Sequence, residues 1–309
     1  MPASLDSPGV TGEWRDASTD ALPGERGSGR LFVISTGPAG PRTSTLQALE
    51  ALERVQVLAA PEQQVQLFGD YIAGKPVLFD PWKGLFDFKG KRVWDLGEAE
   101  RERFQEERFR LRDERVGLIR EVLAAGQDFG LLETGNPCLF GPGHWYKEPF
   151  DPDEVVIIPG MGCDAAAMAA LGQSTIPAHD IRYLVQTSPY SLTVDGRLDR
   201  AALEDIARHA CTLVLYMALR DTGHVFEALR EVLPGDTPCA VVYWAGYPGR
   251  QRVLRGRLDC MSADLSEEEE DFMGLLFVGR FLEGKPYEAS LNRLGRTRGR
   301  VAGAGPADE

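Results

Sequence analysis

The sequence predicts an α/β protein with two domains, and three observations support this prediction. Short apolar runs typical of buried strands alternate with segments of helical periodicity along most of the chain. Three of these runs, at residues 31–34, 129–133 and 155–158, lead directly into loops rich in glycine and proline. The length of 309 residues is enough for two domains or for one elaborated domain. We place the domain boundary in the polar, proline-rich and aromatic stretch 142–153.

The stretch from Leu31 to Leu52 organises the first half of the chain. Its apolar start is followed by a loop with two glycines and two prolines, and then by leucines at helical spacing. This pattern predicts a strand, a tight loop and a helix. Glycines let the backbone approach a ligand closely, and ligands of open α/β sheets bind at loops that follow the carboxyl ends of parallel strands. An ordinary strand-to-helix connection has the same composition, and the spacing alone favours that explanation.

The other elements of the first half are predicted from the same signals. In order, they are a strand at 55–58, a helix from Pro61 to about Tyr71, a strand at 77–79, a helix from Leu96 to Ala125, strands at 129–133 and 155–158, and a helix at 165–171. The apolar side of the long helix consists of Phe109, Val116, Ile119 and Leu123, and Gly126 ends the helix. An aromatic group, predicted to pack under a loop rather than to hold a flat ligand, consists of Trp82, Phe86, Phe88 and Trp94.

The second half of the chain continues the alternation of strands and helices and ends with strands that are predicted to pair in antiparallel orientation. In order, it contains a strand at 182–186, a helix at 199–209, a strand at 212–217, a helix at 225–232, strands at 239–244 and 252–257, an acidic helix start at 267–270, and a last strand at 274–278. The loop 245–249 is rich in glycine and proline, so the two strands that flank it are predicted to form a hairpin.

Charge and composition exclude several classes of protein. The net charge of −13 repels phosphate backbones and argues against a nucleic-acid partner. No apolar run approaches the roughly 18 residues of a membrane span, so no membrane partner is expected. Residues 1–29 lack the pattern of a signal peptide and are predicted to be a disordered extension, and residues 290–309 a flexible tail. We therefore expect a cytoplasmic protein.

The cysteines and histidines indicate reduced thiols and no metal. Five cysteines are an odd number and include no C-x-x-C pair. The four histidines, including His179, are widely separated and show no spacing typical of zinc ligands. The expectation is a chain with free thiols in a reducing compartment and without a bound metal.

Five segments together resemble a known family. Residues 37–52, 134–144, 155–167, 212–219 and 236–258 are similar to the five ordered signatures of the tetrapyrrole (corrin/porphyrin) methylases, the class III S-adenosylmethionine-dependent methyltransferases. The resemblance extends from Leu31 to about Leu282. Within it, the portion from Leu192 to Leu258 is most similar to the precorrin-4 methyltransferase branch, which methylates carbon 11 of a corrin precursor.

The resemblance implies a fold, a cofactor and a partner. The fold is a two-domain α/β tetrapyrrole methylase-like structure, with domains at 30–145 and 150–285, mixed sheets flanked by helices, and the cofactor cleft between the domains. The cofactor is S-adenosylmethionine as methyl donor, the substrate is an anionic tetrapyrrole, and the assembly is a homodimer. By similarity, the cofactor-binding residues are Pro38, Thr134, Gly135, Asn136, Leu139, Gly162, Cys163, Met217 and Ala245.

The sequence departs from the family at three places. The family usually carries Asp at the positions of Gly40 and Asn136, and a different step at Ala60 and Pro61. Asn136 can accept a hydrogen bond from an ammonium group but lacks the charge. Glu62, next to Pro61, fits a solvated helix start better than a catalytic acid. No catalytic residue is assigned.

Cys163 and four arginines near the C-terminal hairpin are further candidates for a functional role. Cys163 is predicted to be a small buried thiol rather than a nucleophile, because no His or Lys lies at a suitable spacing. Four arginines could bind substrate carboxylates or could reflect alternation on an edge strand, and the sequence favours neither explanation: Arg250, Arg252, Arg255 and Arg257.

The function predicted from the sequence is therefore methyl transfer to a tetrapyrrole, as in cobalamin biosynthesis. One alternative keeps the chemistry and changes the acceptor, because a fold does not fix a substrate. The other is a protein that binds S-adenosylmethionine without turnover, which the three departures would explain.

Overall fold

The computed structural model describes residues 28–92, 96–177, 181–194 and 197–284, with Arg92 described by its backbone alone. Four sequence predictions therefore lie outside the described residues: the extension before residue 28, the tail after residue 284, Trp94 and His179.

Strands and helices alternate through the chain. The strands are β1 (Leu31–Ser35), β2 (Val57–Ala59), β3 (Val77–Phe79), β4 (Asp87–Phe88), β5 (Lys91–Arg92), β6 (Phe129–Glu133), β7 (Val155–Ile158), β8 (Tyr183–Thr187), β9 (Thr193–Val194), β10 (Arg197–Leu198), β11 (Cys211–Leu215), β12 (Pro238–Tyr243), β13 (Arg252–Arg257) and β14 (Gly274–Val278). The α-helices are α1 (Leu46–Arg54), α2 (Glu62–Leu67), α3 (Gly69–Ile72), α4 (Glu98–Ala124), α5 (Gly143–Lys147), α6 (Cys163–Leu171), α7 (Arg200–Ala207), α8 (Thr222–Val232) and α9 (Met261–Ser266). Short 3-10 helices occur at Pro41–Thr43, Ala218–Asp221 and Arg280–Glu283.

The first sheet has five strands in the order β3-β2-β6-β1-β7. The pairs β2 with β3, β2 with β6 and β1 with β7 are parallel. Strands β1 and β6 also run parallel, because Phe129 N bonds Arg30 O near their starts and Thr36 N bonds Glu133 O near their ends. β1 and β6 are continuous apolar runs, and all their residues are buried, as expected for a parallel sheet covered on both faces.

The second sheet has five strands in the order β13-β12-β14-β11-β8 and is mixed. β11 runs parallel to β8, whereas β14 is antiparallel to both β11 and β12. β12 and β13 form the predicted antiparallel hairpin, in which Tyr243 is the partner of Arg252. The two sheets confirm the predicted α/β class, with parallel pairing in the first sheet and mixed pairing in the second.

The long helix α4 is shorter and less regularly amphipathic than the sequence predicted. Val116, Ile119 and Leu123 are buried, but Phe109 is 48% exposed and lies against Trp145, with ring centroids 5.6 Å apart. The placement of Phe109 on the buried side was therefore wrong. Charged residues dominate the first half of α4, where Phe104 is buried, so the apolar periodicity of that half carries little information.

Helix α4 also buries one charged residue that the pattern did not reveal. Arg115 is 7% exposed. Its guanidinium donates to Tyr146 Oη at 2.7 Å and to the carbonyl of Lys83 at 2.7 Å. These bonds satisfy the buried charge and connect α4 to the loop before β4 and to α5.

The remaining local predictions have mixed outcomes. Phe88 packs against Phe104 in a small buried cluster, as predicted, whereas Phe86 is 41% exposed. Glu62 begins α2 with an exposed side chain, which confirms the solvated helix start. The acidic run at 267–270 is not a helix start, since Glu267 is the C-terminal cap of α9.

The described residues group into two compact units. One contains the described residues up to Ile34, Glu50–Leu132 and Pro142–Ile158, and the other contains Ser35–Leu49, Glu133–Gly141 and the described residues from Pro159 onward. Domain bounds at 30–145 and 150–285 stay a prediction. Among the described residues, no helix combines the length and the apolar character needed to cross a membrane.

Candidate functional site

Five loops of the second unit form the candidate site. We name them loop A (35–45), loop B (133–141), loop C (159–162), loop D (216–217) and loop E (244–249). Loops A, B and C follow β1, β6 and β7, which are neighbours in the first sheet. Loops D and E follow β11 and β12 of the second sheet. Such loops at strand ends are where α/β folds place their ligands.

Loops A and B are joined by backbone and side-chain bonds. Gly37 and Gly135 form an isolated antiparallel bridge, with Gly135 N donating to Gly37 O at 3.1 Å. Ser35 Oγ donates to Gly135 O at 2.5 Å, and Thr36 Oγ1 donates to Glu133 O at 2.8 Å. The backbones of both loops are thereby held together at their glycines.

Loop C closes against both of them. A Cβ added at Gly160 would lie 1.8 Å from Ser35 Oγ, so only glycine fits beside loop A. A Cβ at Gly135 would lie 3.8 Å from Cys163 N, the first residue of α6. Thr45 Oγ1 donates to Pro159 O at 3.1 Å. The start of α6 therefore lies at the junction of loops A, B and C.

Loops D and E complete the group. A Cβ at Gly246 would lie 3.3 Å from Ala39 Cβ and 3.3 Å from Thr43 Cγ2, which places loop E against loop A. The rings of Phe140 in loop B and Tyr216 in loop D have centroids 5.1 Å apart.

Three of these loops contain non-glycine residues in the left-handed backbone region. Phe140, Met217 and Trp244 have φ angles of 57°, 57° and 50°. Lys89 is the other non-glycine residue with positive φ among the described residues. Such conformations cost about 1–3 kcal/mol each and concentrate at ligand sites, where the surrounding structure holds them in place. This observation makes loops B, D and E candidates for ligand binding, and the sequence gives no sign of it.

The structure brings most of the predicted cofactor-binding residues together. Pro38 is buried in loop A, between Gly37 and Ala39. Gly162 is the N-terminal cap of α6, and a Cβ at this position would lie 3.5 Å from Asn136 Cβ. Four others belong to or pack against one apolar cluster: Leu139, Cys163, Met217 and Ala245. Gly135 of loop B pairs with Gly37 of loop A, and Thr134 has an exposed side chain. Their role in binding stays a prediction.

The two departures in loops A and B have specific conformations. Asn136 Oδ1 accepts a hydrogen bond of 3.0 Å from Cys138 N, so this oxygen stabilises the turn of loop B. Gly40 has φ 91° and ψ −165°, a region that essentially only glycine adopts. Gly40 O accepts bonds from Thr43 N and Thr43 Oγ1, both at 2.9 Å. The loop is therefore built around a glycine at this position.

We expect Gly40→Asp, which introduces the residue usual in the family, to destabilise the chain by about 1–3 kcal/mol, because a side chain is strained in this conformation. Urea denaturation followed by circular dichroism measures the change. Gly117→Asp is the control and should leave the stability nearly unchanged, since Gly117 lies in α4 without positive φ and an added Cβ would meet no atom of the described residues within 4 Å. An increase in stability of Gly40→Asp would show that loop A adapts to the acid.

Cys163 has the character of an unreactive thiol. Its side chain is partly buried, and burial, followed by the nearby Asp164 carboxylate, raises the pKa of its thiol to about 11. The thiol is therefore protonated at neutral pH, which agrees with a structural role.

This pKa predicts the pattern of alkylation. Because the thiolate is the reactive form, a raised pKa keeps Cys163 unreactive until the pH approaches about 11. At pH 8, iodoacetamide should modify the exposed Cys138 and Cys260 and leave Cys163 intact, as read by mass spectrometry of peptides. Modification of Cys163 at the rate of Cys138 would contradict this assignment.

A polar cluster beside loop D was missed by the sequence reasoning. It consists of Asp164 in α6, Gln186 in β8 and Tyr216 in loop D. Gln186 Nε2 donates to Asp164 Oδ2 at 3.0 Å. Tyr216 is 8% exposed, and its hydroxyl has no hydrogen-bond partner among the residues that the structure describes. Burial, followed by the charge of the nearby Asp164 carboxylate, raises the pKa of Tyr216.

The four arginines of the hairpin do not form one positive patch. Arg252 pairs with Glu268, and Arg255 donates to the carbonyl of Leu171 at 2.8 Å. These two side chains leave opposite faces of β13, an edge strand, because strand residues alternate. Only Arg250 belongs to the turn, where its guanidinium lies 3.2 Å from the centroid of the Trp244 ring. Alternation on an edge strand therefore explains Arg252 and Arg255.

Comparison with known proteins gives a family match over most of the chain. The model of the family described as Tetrapyrrole (Corrin/Porphyrin) Methylases matches residues 30–261. A precorrin-4 C(11)-methyltransferase of Rhodococcus erythropolis is 30% identical over 180 residues, which are 56% of this chain and 71% of the relative. A siroheme synthase of Halorhodospira halophila is 29% identical over 276 residues, 88% of this chain and 50% of the relative. The chain thus spans half the length of that second relative.

Solved structures share the fold. The X-ray structure of a cobalt precorrin-4 methyltransferase, described as a cobalamin biosynthetic enzyme, superposes with a TM-score of 0.62 at 20% identity, covering 83% of this chain and 96% of that one. A uroporphyrin-III C-methyltransferase from Thermus thermophilus, complexed with S-adenosylhomocysteine, gives a TM-score of 0.56 at 18% identity, with coverage of 82% and 99%. At these identities, the similarity shows the fold alone.

Proposed function

The chain belongs to the tetrapyrrole (corrin/porphyrin) methylase family and is a methyltransferase by class, and from this premise we propose that it transfers a methyl group from S-adenosylmethionine to a carboxylate-rich tetrapyrrole. The observation that carries this proposal is the convergence of loops A to E, which the sequence identified separately and which meet in one unit. A corrin precursor such as precorrin-4 is the proposed acceptor, because the relative from Rhodococcus erythropolis is named for that substrate.

Two features of the loops fit S-adenosylmethionine. Gly135 carries no side chain, and a Cβ added there would lie 3.8 Å from Cys163 N, so a ligand can approach the backbone of loop B closely beside the start of α6. The buried hydroxyl of Tyr216 has no hydrogen-bond partner among the described residues, whereas buried polar groups normally have one. An apolar wall with a few polar groups is typical of a cofactor site.

The residues of the chain then have defined tasks in the reaction. When bound, S-adenosylmethionine would supply an electrophilic methyl group carried on a positively charged sulfur. Leu139, Met217 and Ala245 pack with the apolar cluster and exclude water from the reacting groups. The bridge between Gly37 and Gly135 fixes the two loops, so that the reacting atoms are held in one orientation.

An anionic acceptor requires positive charge near the loops. Arg42 in loop A and Arg250, the residue directly after loop E, are both exposed, and the two loops lie against each other at Ala39, Thr43 and Gly246. We assign these two guanidinium groups to the substrate carboxylates.

A second candidate is a protein that binds S-adenosylmethionine without turnover. The conformation of Gly40 and the engaged oxygen of Asn136 favour it, because both positions differ from the acids usual in the family. The homodimer and the cytoplasmic location remain predictions.

The experiment that separates the candidates follows the methyl group. The purified protein is incubated with S-adenosylmethionine carrying a tritiated methyl group and with precorrin-4 or reduced uroporphyrin III. We expect label in the tetrapyrrole and an equal amount of S-adenosylhomocysteine. Binding of the cofactor without transfer to either acceptor would reject the proposed substrate class, and loss of transfer in Arg42→Glu with intact cofactor binding would support the assigned cations.

A further inference from the structure

We infer that Asp164 and Tyr216 recognise the charged amino-acid end of the bound S-adenosylmethionine, and that Asp164 supplies the negative charge that Asn136 lacks. This inference rests on the proposed function, which it makes specific at named side chains. Neither residue was a candidate from the sequence.

Position is the first argument. A Cβ added at Gly162 would lie 2.1 Å from Asp164 Oδ1 and 3.5 Å from Asn136 Cβ. The Asp164 carboxylate and the Asn136 side chain therefore flank the same glycine. Asp164 also lies in the first turn of α6, where the helix dipole stabilises an anion.

The second argument is hydrogen-bond capacity. Asn136 Oδ1 already accepts from Cys138 N, so it holds loop B in shape. Asp164 Oδ2 accepts from Gln186 Nε2 at 3.0 Å, and Oδ1 is turned toward Gly162. A carboxylate can accept about four hydrogen bonds, and an ammonium group supplies three donors. The Asp164 carboxylate therefore has capacity for an ammonium group.

The unpartnered hydroxyl is the third, independent argument. The Tyr216 hydroxyl is buried and has no hydrogen-bond partner within the described ranges, a state that costs stability unless a ligand supplies the partner. It lies beside Asp164, and its ring is held by contact with Phe140. A protonated hydroxyl next to a carboxylate offers a donor for the ligand's carboxylate while Asp164 receives its ammonium group.

The test compares two ligands by calorimetry. S-adenosylhomocysteine carries the charged amino-acid end, whereas 5′-methylthioadenosine has the same nucleoside without it. We expect Asp164→Asn to weaken S-adenosylhomocysteine about tenfold, as for loss of a charge-assisted hydrogen bond, and to leave 5′-methylthioadenosine unchanged. Asp205→Asn, which removes an exposed charge from α7, is the matched control and should change neither affinity.

Two further variants separate recognition from a structural role. Tyr216→Phe should weaken S-adenosylhomocysteine several-fold without lowering the melting temperature of the free protein, because an unpartnered buried hydroxyl is removed. The double variant Asp164→Asn with Asn136→Asp should regain affinity, because the charge returns next to the same glycine. Binding of 5′-methylthioadenosine reports that each variant is folded.

The outcomes distinguish this inference from the proposed function. If the wild type binds S-adenosylhomocysteine and Asp164→Asn binds it equally well, the inference is wrong and the proposed function stands. Equal weakening of both ligands would likewise overturn the inference, since it would indicate a structural effect. If the wild type binds neither ligand, the proposed cofactor is wrong and the inference falls with it.

Discussion

Gly160→Val is expected to unfold the candidate site and to lower the stability of the chain by about 3 kcal/mol. A Cβ at this position would lie 1.8 Å from Ser35 Oγ and 2.4 Å from Ser35 Cβ. Ser35 cannot avoid the collision and keep its 2.5 Å bond to Gly135 O. Overpacking costs roughly 1–3 kcal/mol, and a buried carbonyl left without its donor costs a similar amount.

Gly160→Val should also abolish ligand binding. Loops A, B and C meet at Ser35, Gly135 and Gly160, so the substitution separates the loops that the cofactor would contact. We expect S-adenosylhomocysteine binding to fall below detection, measured by calorimetry alongside urea denaturation.

Gly223→Ala is the control for this substitution. Gly223 lies in the first turn of α8 and is exposed, and an added Cβ would meet no atom of the described part of the chain within 4 Å. Alanine favours helix by up to about 1 kcal/mol over glycine, so this variant should be equally or more stable and should bind normally. Normal binding by Gly160→Val would show that loop C does not shape the site.

Met217→Arg is expected to weaken cofactor binding at least 100-fold, or about 2.7 kcal/mol. Met217 follows Tyr216 in loop D, is half-buried, and packs against the apolar cluster. A guanidinium in its place would bring an unpaired charge against the apolar cluster and would occupy the volume assigned to the ligand. The measurement is a calorimetric titration with S-adenosylhomocysteine.

Met217→Leu provides the matched comparison. Leucine keeps the approximate volume and the apolar character, and neither variant changes the requirement for a left-handed backbone at φ 57°. It should bind within a few-fold of the wild type. Undiminished binding by Met217→Arg, with its far-ultraviolet circular dichroism unchanged, would exclude Met217 from the cofactor site.

Local sequence signals were enough to predict most of the strands. β1, β6, β7 and β14 are apolar runs bounded by glycine, proline or charged residues, so hydrophobicity and turn composition define them. The hairpin of β12 and β13 was predictable because its turn contains Gly246, Pro248 and Gly249.

Other elements depend on contacts that a local pattern does not contain. α5 lies in the stretch predicted to be a polar boundary, yet Tyr146 is 1% exposed, since its ring packs in the apolar cluster of the first sheet while Arg115 donates to its hydroxyl. Phe109 fits the apolar periodicity of α4 but has no core to pack into, and lies on Trp145 instead. The burial of Tyr146 and the position of Phe109 both depend on residues that are distant in sequence.

The candidate site was also predicted only in part from the sequence. Loops A, B, C and E were predicted from their glycines and prolines, because these residues favour turns through their own backbone conformation. The cluster of Asp164, Gln186 and Tyr216 could not be found from the sequence, since Asp164 is an ordinary first-turn acid until the fold places β8 and loop D beside it. The left-handed conformations of Phe140 and Met217 are equally invisible in the sequence, because neither residue type favours that conformation.

The central claim is that loops A to E bind S-adenosylmethionine. The most direct test is a calorimetric titration of the purified wild-type protein with S-adenosylhomocysteine, which avoids turnover. We expect saturable binding of one ligand per chain, with heat lost in Met217→Arg and retained in Met217→Leu. No heat and no thermal shift at millimolar ligand would contradict it, and the converging loops would then mark a shared fold without the shared cofactor.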